Sequence, residues 1–306
     1  MFGRTLILRT AALKPVESLV RKSFLFRPLV QRFVAGDDLS DAMKVAEGLA
    51  DRGLMSSLDY LGENTKTRAE AEHAIKMYDE IVTAIHNSRH HDKINISIKL
   101  TQCGLDIDED WAEQNYRNLL QHAQQKNTFV RVDMEASEYT ERTVHMIENV
   151  FRDHSNTGTV LQSYLYRTSD DAQRMVRLGA RVRVVKGAYL EPTSVAFPTK
   201  AETDAEYLKV AKILMKEGNY PAIATHDQVI IQELKAFADK EGIAKDRFEF
   251  QMLYGIRRDL QDGLVAEGYN VRIYIPYGDQ WYPYFTRRLA ERPANMWFII
   301  KSTFHR

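Results

Sequence analysis

The sequence predicts a single (β/α)8 barrel, and three observations carry that expectation. Short apolar runs, several rich in β-branched residues, alternate with longer amphipathic stretches eight times along the chain. Buried parallel strands with crossover helices have this pattern. No Pro/Gly/Ser-rich linker or low-complexity segment divides the 306 residues. The main structural rival is a doubly wound sheet, but nothing splits the chain into two nucleotide-binding halves.

In chain order, residues 1–52 read as an N-terminal helical segment packed on the barrel, and residues 53–306 as the barrel itself. The first 32 residues carry seven bases (Arg4, Arg9, Lys14, Arg21, Lys22, Arg27, Arg32) and one acid, Glu17. A transit peptide or membrane-surface helix has that composition, and so does an exposed helix beside a domain. The apolar stripe Leu19, Val20, Phe24, Leu25 and Leu29 favours the packed helix.

Each expected strand ends in polar residues. In this architecture the functional groups stand at the C-terminal strand ends. Strand one, Leu54–Leu61, runs into Gly62 and Glu63, with a helix near 67–87. Strand two, Ile94–Leu100, carries Lys99 and precedes a helix at 109–125. Strand three, Phe129–Glu135, carries Asp133, Met134 and Glu135, with a helix at 138–152. Strand four, Thr159–Leu165, holds Gln162 before a helix at 168–178. Strand five, Val182–Ala188, reads Arg183 through Lys186, Gly187 and Ala188 to Tyr189, before a helix at 200–216. Strand six, Ala222–Thr225, ends in Thr225, His226 and Asp227, with a helix at 228–240. Strand seven, Arg247–Leu253, holds Glu249 and Gln251 and leads through Tyr254 to a helix at 256–267. Strand eight, Val271–Ile275, contains Tyr274. A last helix spans about 280–292, with Pro283 in its first turn and Pro293 stopping it.

Composition narrows the chemistry. Lys plus Arg and Asp plus Glu both total 42, so no global basic field exists to hold nucleic acid. One cysteine, Cys103, forbids an intrachain disulfide and a Cys-rich metal site. No apolar run has membrane-spanning length. His-x-His, His-Glu-x-x-His, phosphate-loop and G-x-G-x-x-G patterns are missing, so neither a metal site nor a Rossmann nucleotide site is predicted. Lys186-Gly187-Ala188 after a strand still suits a phosphate, with an ammonium beside small residues.

The last helix contains the most informative motif. Arg287 and Arg288 follow Tyr284 by three and four residues, and Glu291 follows the arginines by four and three. On a helix these side chains share one side. Paired guanidinium forks grip a planar carboxylate in a way lysine does not. The bland reading is a solvated, ion-paired helix face. Singly, Lys99 and Asp133 read as a structural bridge and His226 as a scaffold residue. Yet Lys99, Arg183 and Lys186 all lie in apolar runs, where burial without partners is costly. A shared cationic cavity accounts for them together.

With these residues assembled, the chain resembles the proline dehydrogenase family in its compact, single-function bacterial form. The resemblance runs from about Phe33 to the C-terminus. Its densest blocks are Leu58 to Glu63, Val132 to Glu135, Arg183 to Tyr189, and Arg272-Ile273-Tyr274 through Arg287-Arg288 to Asn295. It implies a distorted (β/α)8 barrel with the last helix over its mouth. It further implies noncovalent FAD, oxidation of L-proline to Δ1-pyrroline-5-carboxylate, and a membrane quinone as electron acceptor. Arg287 and Arg288 would clasp the substrate carboxylate, with Lys99, Tyr274 and Tyr284 completing the pocket. Glu63 would pair with Arg287 as a gate, Arg183 would lie near the flavin, and Asp133 would orient the catalytic group. Met134, Gln162, Lys186, Gly187, Ala188, Tyr189, Thr225 and His226 would line the FAD, and Glu291 would reach its ribose. Tyr274 would favour proline over 4-hydroxyproline. The aldehyde-dehydrogenase half of bifunctional relatives is expected to be absent, making a separate pyrroline-5-carboxylate dehydrogenase a further partner. The expected location is the bacterial cytoplasm near the inner membrane face, ahead of a mitochondrial one. Two rivals remain: a class I aldolase-like barrel using Lys99 or Lys186 as a Schiff base, and a non-enzymatic amino-acid sensor.

Overall fold

A computed structural model describes Glu17, Val20, Arg21 and residues 27–291. Eight parallel strands close into a barrel: β1 Met55–Tyr60, β2 Ile94–Ile98, β3 Val130–Val132, β4 Thr157–Gln162, β5 Arg181–Val185, β6 Ala222–Ala224, β7 Glu249–Leu253 and β8 Asn270–Tyr277. Each pairs with its sequence neighbour, and β1 returns to β8 with Ser57 opposite Tyr274. Short helices α1 (Arg27–Gln31) and α2 (Leu39–Ala50) precede the barrel. The surrounding helices are α3 Arg68–Asn87, α4 Glu109–Gln125, α5 Ser137–Phe151, α6 Thr168–Leu178, α7 Lys200–Glu217, α8 Gln228–Glu241, α9 Arg258–Ala266 and α10 Trp281–Glu291.

Strand side chains alternate between two faces. One set is apolar: Leu58, Ile96, Ile98, Val132, Val184 and Ile273 join helix residues such as Tyr78, Ile81 and Leu119 in one core. The other set is polar and meets inside the barrel, where Ser57 bonds Ser97 at 3.0 Å and Arg183 reaches Ser97 at 3.1 Å. Helix starts are chemically marked. Thr67 with Glu70 caps α3 and Thr199 with Glu202 caps α7, each as a reciprocal capping box. Asp108 and Asp227 cap α4 and α8 through the amides of Trp111 and Val229.

Six strands end earlier than the apolar runs suggest, β2, β3, β4 and β5 by two or three residues. Lys99 lies just past β2, Asp133, Met134 and Glu135 past β3, and Lys186, Gly187 and Ala188 past β5. At Lys99 the amide leaves the ladder for Tyr78 Oη at 3.2 Å, whereas Asp133 N still donates to Ile98 O of β2 at 2.8 Å. β4 starts two residues earlier than expected, at Thr157, and β7 starts at Glu249 after a 3-10 turn over Lys245–Arg247. α10 has Pro283 in its first turn, as expected; Pro293 lies outside the described residues.

The segment before the barrel packs on α10. Leu29, Val30, Phe33 and Val34 form a second core with Leu61, Tyr284 and Phe285, against which Val20 and Trp281 pack. Arg21 donates to Asp279 O at 2.8 Å and lies 5.1 Å from the Trp281 ring centroid. Of the expected apolar stripe, Val20 and Leu29 take part, while Leu19, Phe24 and Leu25 lie outside the described residues.

Candidate active site

The strand ends and α10 enclose a cavity of about 680 Å³ at the barrel mouth. Ion pairs organise its polar wall. Lys99 Nζ donates to Asp59 Oδ1 at 2.7 Å, with both side chains buried. Burial works against the Lys99 ammonium, but Asp59, Asp133 and Glu63 outweigh it and raise its pKa. Burial, against the pull of Lys99, pushes the Asp59 carboxyl up.

Asp133 is held from two sides. Arg183 Nη1 donates to its Oδ1 at 2.7 Å, and Tyr274 Oη donates to its Oδ2 at 2.6 Å. The Arg183 guanidinium also lies 5.2 Å from the Tyr274 ring centroid. Burial and the charges of Asp133 and Asp59 push the Tyr274 phenol well up, so it stays a donor. From α10, Arg287 reaches down to Glu63 at 2.6 Å in the loop after β1. Burial opposes the Arg287 charge, but Glu63 leads the interactions that raise its pKa.

The far wall is a second charged group. Lys186 meets Asp204 at 2.5 Å and Asp227 at 3.3 Å, and Lys200 joins both acids. Gly187 sits at φ +121, where a Cβ would meet the Tyr164 ring 2.4 Å away. Gln162 Nε2 donates to Glu135 O at 2.7 Å, tying β4 to the loop after β3. His226 Nε2 accepts from Leu253 N at 2.9 Å, and Thr225 Oγ1 accepts from Asp227 N at 3.1 Å.

Every site residue expected from the sequence whose side chain is described lines this cavity. Lys99, Asp133, Arg183 and Tyr274 stand beside Met134 and Gln162; Lys186 to Tyr189, Thr225 and His226 face them; Glu63, Tyr284, Arg287 and Arg288 close the top. The Glu291 side chain lies outside the described residues.

Four differences from the sequence reading stand out. Lys99 pairs with Asp59 instead of Asp133, because β1 runs beside β2 with Asp59 opposite Ser97, while Asp133 is turned toward Arg183 and Tyr274. Asp59 was missed as a site residue; an acid inside the run Leu58-Asp59-Tyr60-Leu61 was its signal, by the same burial argument that singled out Lys99. Glu249 stands at the other end of its strand, in the barrel floor, accepting from Arg272 Nε at 3.0 Å. Gln251, two residues on, lines the cavity. Lys200, Asp204 and Asp227 were also missed as a cluster, since it joins residues from separate elements.

The ion pairs bear on the aldolase-like alternative. A Schiff base needs an uncharged amine, and both Lys99 and Lys186 are engaged by carboxylates.

A family model for proline dehydrogenase matches residues 42–301. Proline dehydrogenase 1 of Bacillus subtilis subsp. natto is 40% identical over 280 residues, covering 92% of this chain and 92% of the relative. Proline dehydrogenase of Deinococcus radiodurans is 40% identical over 303 residues, covering 97% and 96%. Among solved structures, proline utilization A (PutA) from Bdellovibrio bacteriovorus, inactivated by N-propargylglycine, matches 96% of this chain with TM-score 0.83 at 24% identity. The present chain spans 37% of that one, and the likeness bears on the fold alone.

Proposed function

This chain belongs to the proline dehydrogenase family, and from that premise we infer that it oxidises L-proline to Δ1-pyrroline-5-carboxylate in the mouth cavity. One observation carries the assignment to these residues: Arg287 and Arg288 on α10 line the same cavity as Lys99, Asp133 and Arg183 from three strand ends. The reaction takes a hydride equivalent from the ring carbon beside nitrogen and a proton from the nitrogen, leaving a C=N bond. The nitrogen has to be neutral for its lone pair to assist. Arg287, Arg288 and Lys99 bind the carboxylate as a cationic set, which also disfavours the protonated amine. Tyr274 and Tyr284 complete the pocket, and Tyr274 sets the preference for proline over its 4-hydroxylated form. Asp133, fixed by Arg183 and Tyr274, orients the reacting ring. Glu63 draws Arg287 and its helix down over the ligand.

We assign FAD as the cofactor, and the residues present fit it. Arg183 Nε is buried with no hydrogen-bond partner among the described residues, leaving a donor on the cavity wall. Met134, Val160, Val185, Met252 and Leu253 offer an apolar wall for a flat ring. Gln162, Thr225 and His226 add polar contacts, and Lys186 with the small Gly187 and Ala188, beside Tyr189, suits a phosphate that shares the ammonium with Asp204 and Asp227. Glu291 is assigned to the ribose. Bound FAD supplies a two-electron acceptor, from which a membrane quinone draws the electrons. A pyrroline-5-carboxylate dehydrogenase then consumes the product. Quinone delivery puts the enzyme at the cytoplasmic face of the bacterial inner membrane; no helix among the described residues is long and apolar enough to cross it.

The test is a visible spectrum of the purified protein, before and after L-proline is added without oxygen. A yellow protein that bleaches is the expected result. A colourless protein, or a yellow one that stays oxidised, overturns the reading.

A further inference from the structure

The loop that carries Glu63 is not self-supporting. Asn64, the next residue, is held in the left-handed region at φ 54. Its amide donates to Thr101 Oγ1 at 3.1 Å, and Thr65 Oγ1 donates to Thr101 O at 2.5 Å. Thr101, in the loop after β2, is fully buried. Its own hydroxyl donates to Glu135 Oε1 at 2.6 Å, and its amide lies 3.3 Å from Glu135 Oε2. Glu135, in the loop after β3, is also buried and does not line the cavity.

The arrangement has a direction. A carboxylate only accepts, so Glu135 claims the Thr101 hydroxyl proton. That leaves an oxygen lone pair aimed at Asn64 N. A hydroxyl that donates one way and accepts the other is needed at position 101, and a carboxylate at position 135 sets its sense. Burying an acid is costly, and the hydrogen bonds this one accepts from side chain and amide both come from Thr101. We propose that Thr101 and Glu135 are positioning residues that hold the loop after β1 so that Glu63 meets Arg287 and closes the site over the substrate. The proposal rests on the Glu63–Arg287 closure described above.

The experiment is a double-mutant cycle in the holoenzyme at pH 8, read as KM and kcat for L-proline and as affinity for the ring carboxylate L-tetrahydro-2-furoic acid. Thr101→Val keeps the shape and removes both hydrogen-bonding roles. It is expected to raise KM and weaken the analogue about fivefold to tenfold, with kcat little changed, as for loss of one buried hydrogen bond to a charged network. Thr101→Ser should stay within about twofold, since it keeps the hydroxyl. In a Glu63→Gln background, Thr101→Val should add almost nothing, because the loop then has no ion pair to aim.

Equal effects of Thr101→Val in both backgrounds would overturn the proposal and leave Thr101 a structural residue. If Glu63→Gln alone changes neither KM nor analogue affinity, the closure reading fails, and the proposal falls with it. Should Thr101→Val not fold, Thr101→Ala removes the same hydroxyl with less bulk and goes through the same cycle.

Discussion

Replacing Glu135 with glutamine should change how stability depends on pH. The side chain is 4% exposed, and burial pushes its carboxyl from an ordinary value of 4.5 up to about 7, against the pull of Thr101 and Lys99. The folded state therefore holds this proton more tightly than the unfolded chain. Between 4.5 and about 7 the native protein binds more protons, so stability falls as pH rises through that window. The contribution is most favourable below 4.5 and is lost once pH passes about 7. That span corresponds to about 3 kcal/mol. Glutamine has nearly the same shape and no charge to bury. Relative to the parent, Glu135→Gln should therefore gain about 2.5 kcal/mol between pH 5 and pH 8, most of that span. The assay is denaturant unfolding of both proteins across that range, compared as a difference so that other titrating groups cancel. Parallel stability curves would refute the reasoning.

Two further substitutions probe the cavity directly. Arg288→Lys removes a planar fork and should weaken L-tetrahydro-2-furoic acid by about tenfold to a hundredfold, measured by calorimetric titration. Unchanged affinity would exclude Arg288 from the carboxylate clasp. Asp59→Asn leaves the buried Lys99 ammonium without its nearest acid and should cost about 3 kcal/mol or more of stability. Wild-type unfolding midpoints in that variant would show that Asp133 and Glu63 suffice to hold Lys99.

Much of the site was legible because burial is costly for charge. Lys99, Arg183 and Lys186 stood out within apolar runs, and each proved to have an acidic partner. The alternation of strands and helices was equally plain, since it follows from side-chain periodicity along a short stretch. Strand ends were less so. Lys99 belongs by composition to its apolar run, yet the ladder stops before it, because its amide is taken by the Tyr78 hydroxyl from a neighbouring helix.

The order of residues alone thus determined the barrel, the cationic set and the arginine pair on the last helix, all properties of local pattern. Pairing was decided only in three dimensions. Whether Lys99 meets Asp59 or Asp133 depends on which strand lies next to which and on where each side chain points. The same holds for Glu249, whose place in its strand puts it in the floor with Arg272 while Gln251 faces the cavity. Hydrogen bonds and ion pairs act over a few ångströms, so residues tens of positions apart acquire partners only when the barrel closes.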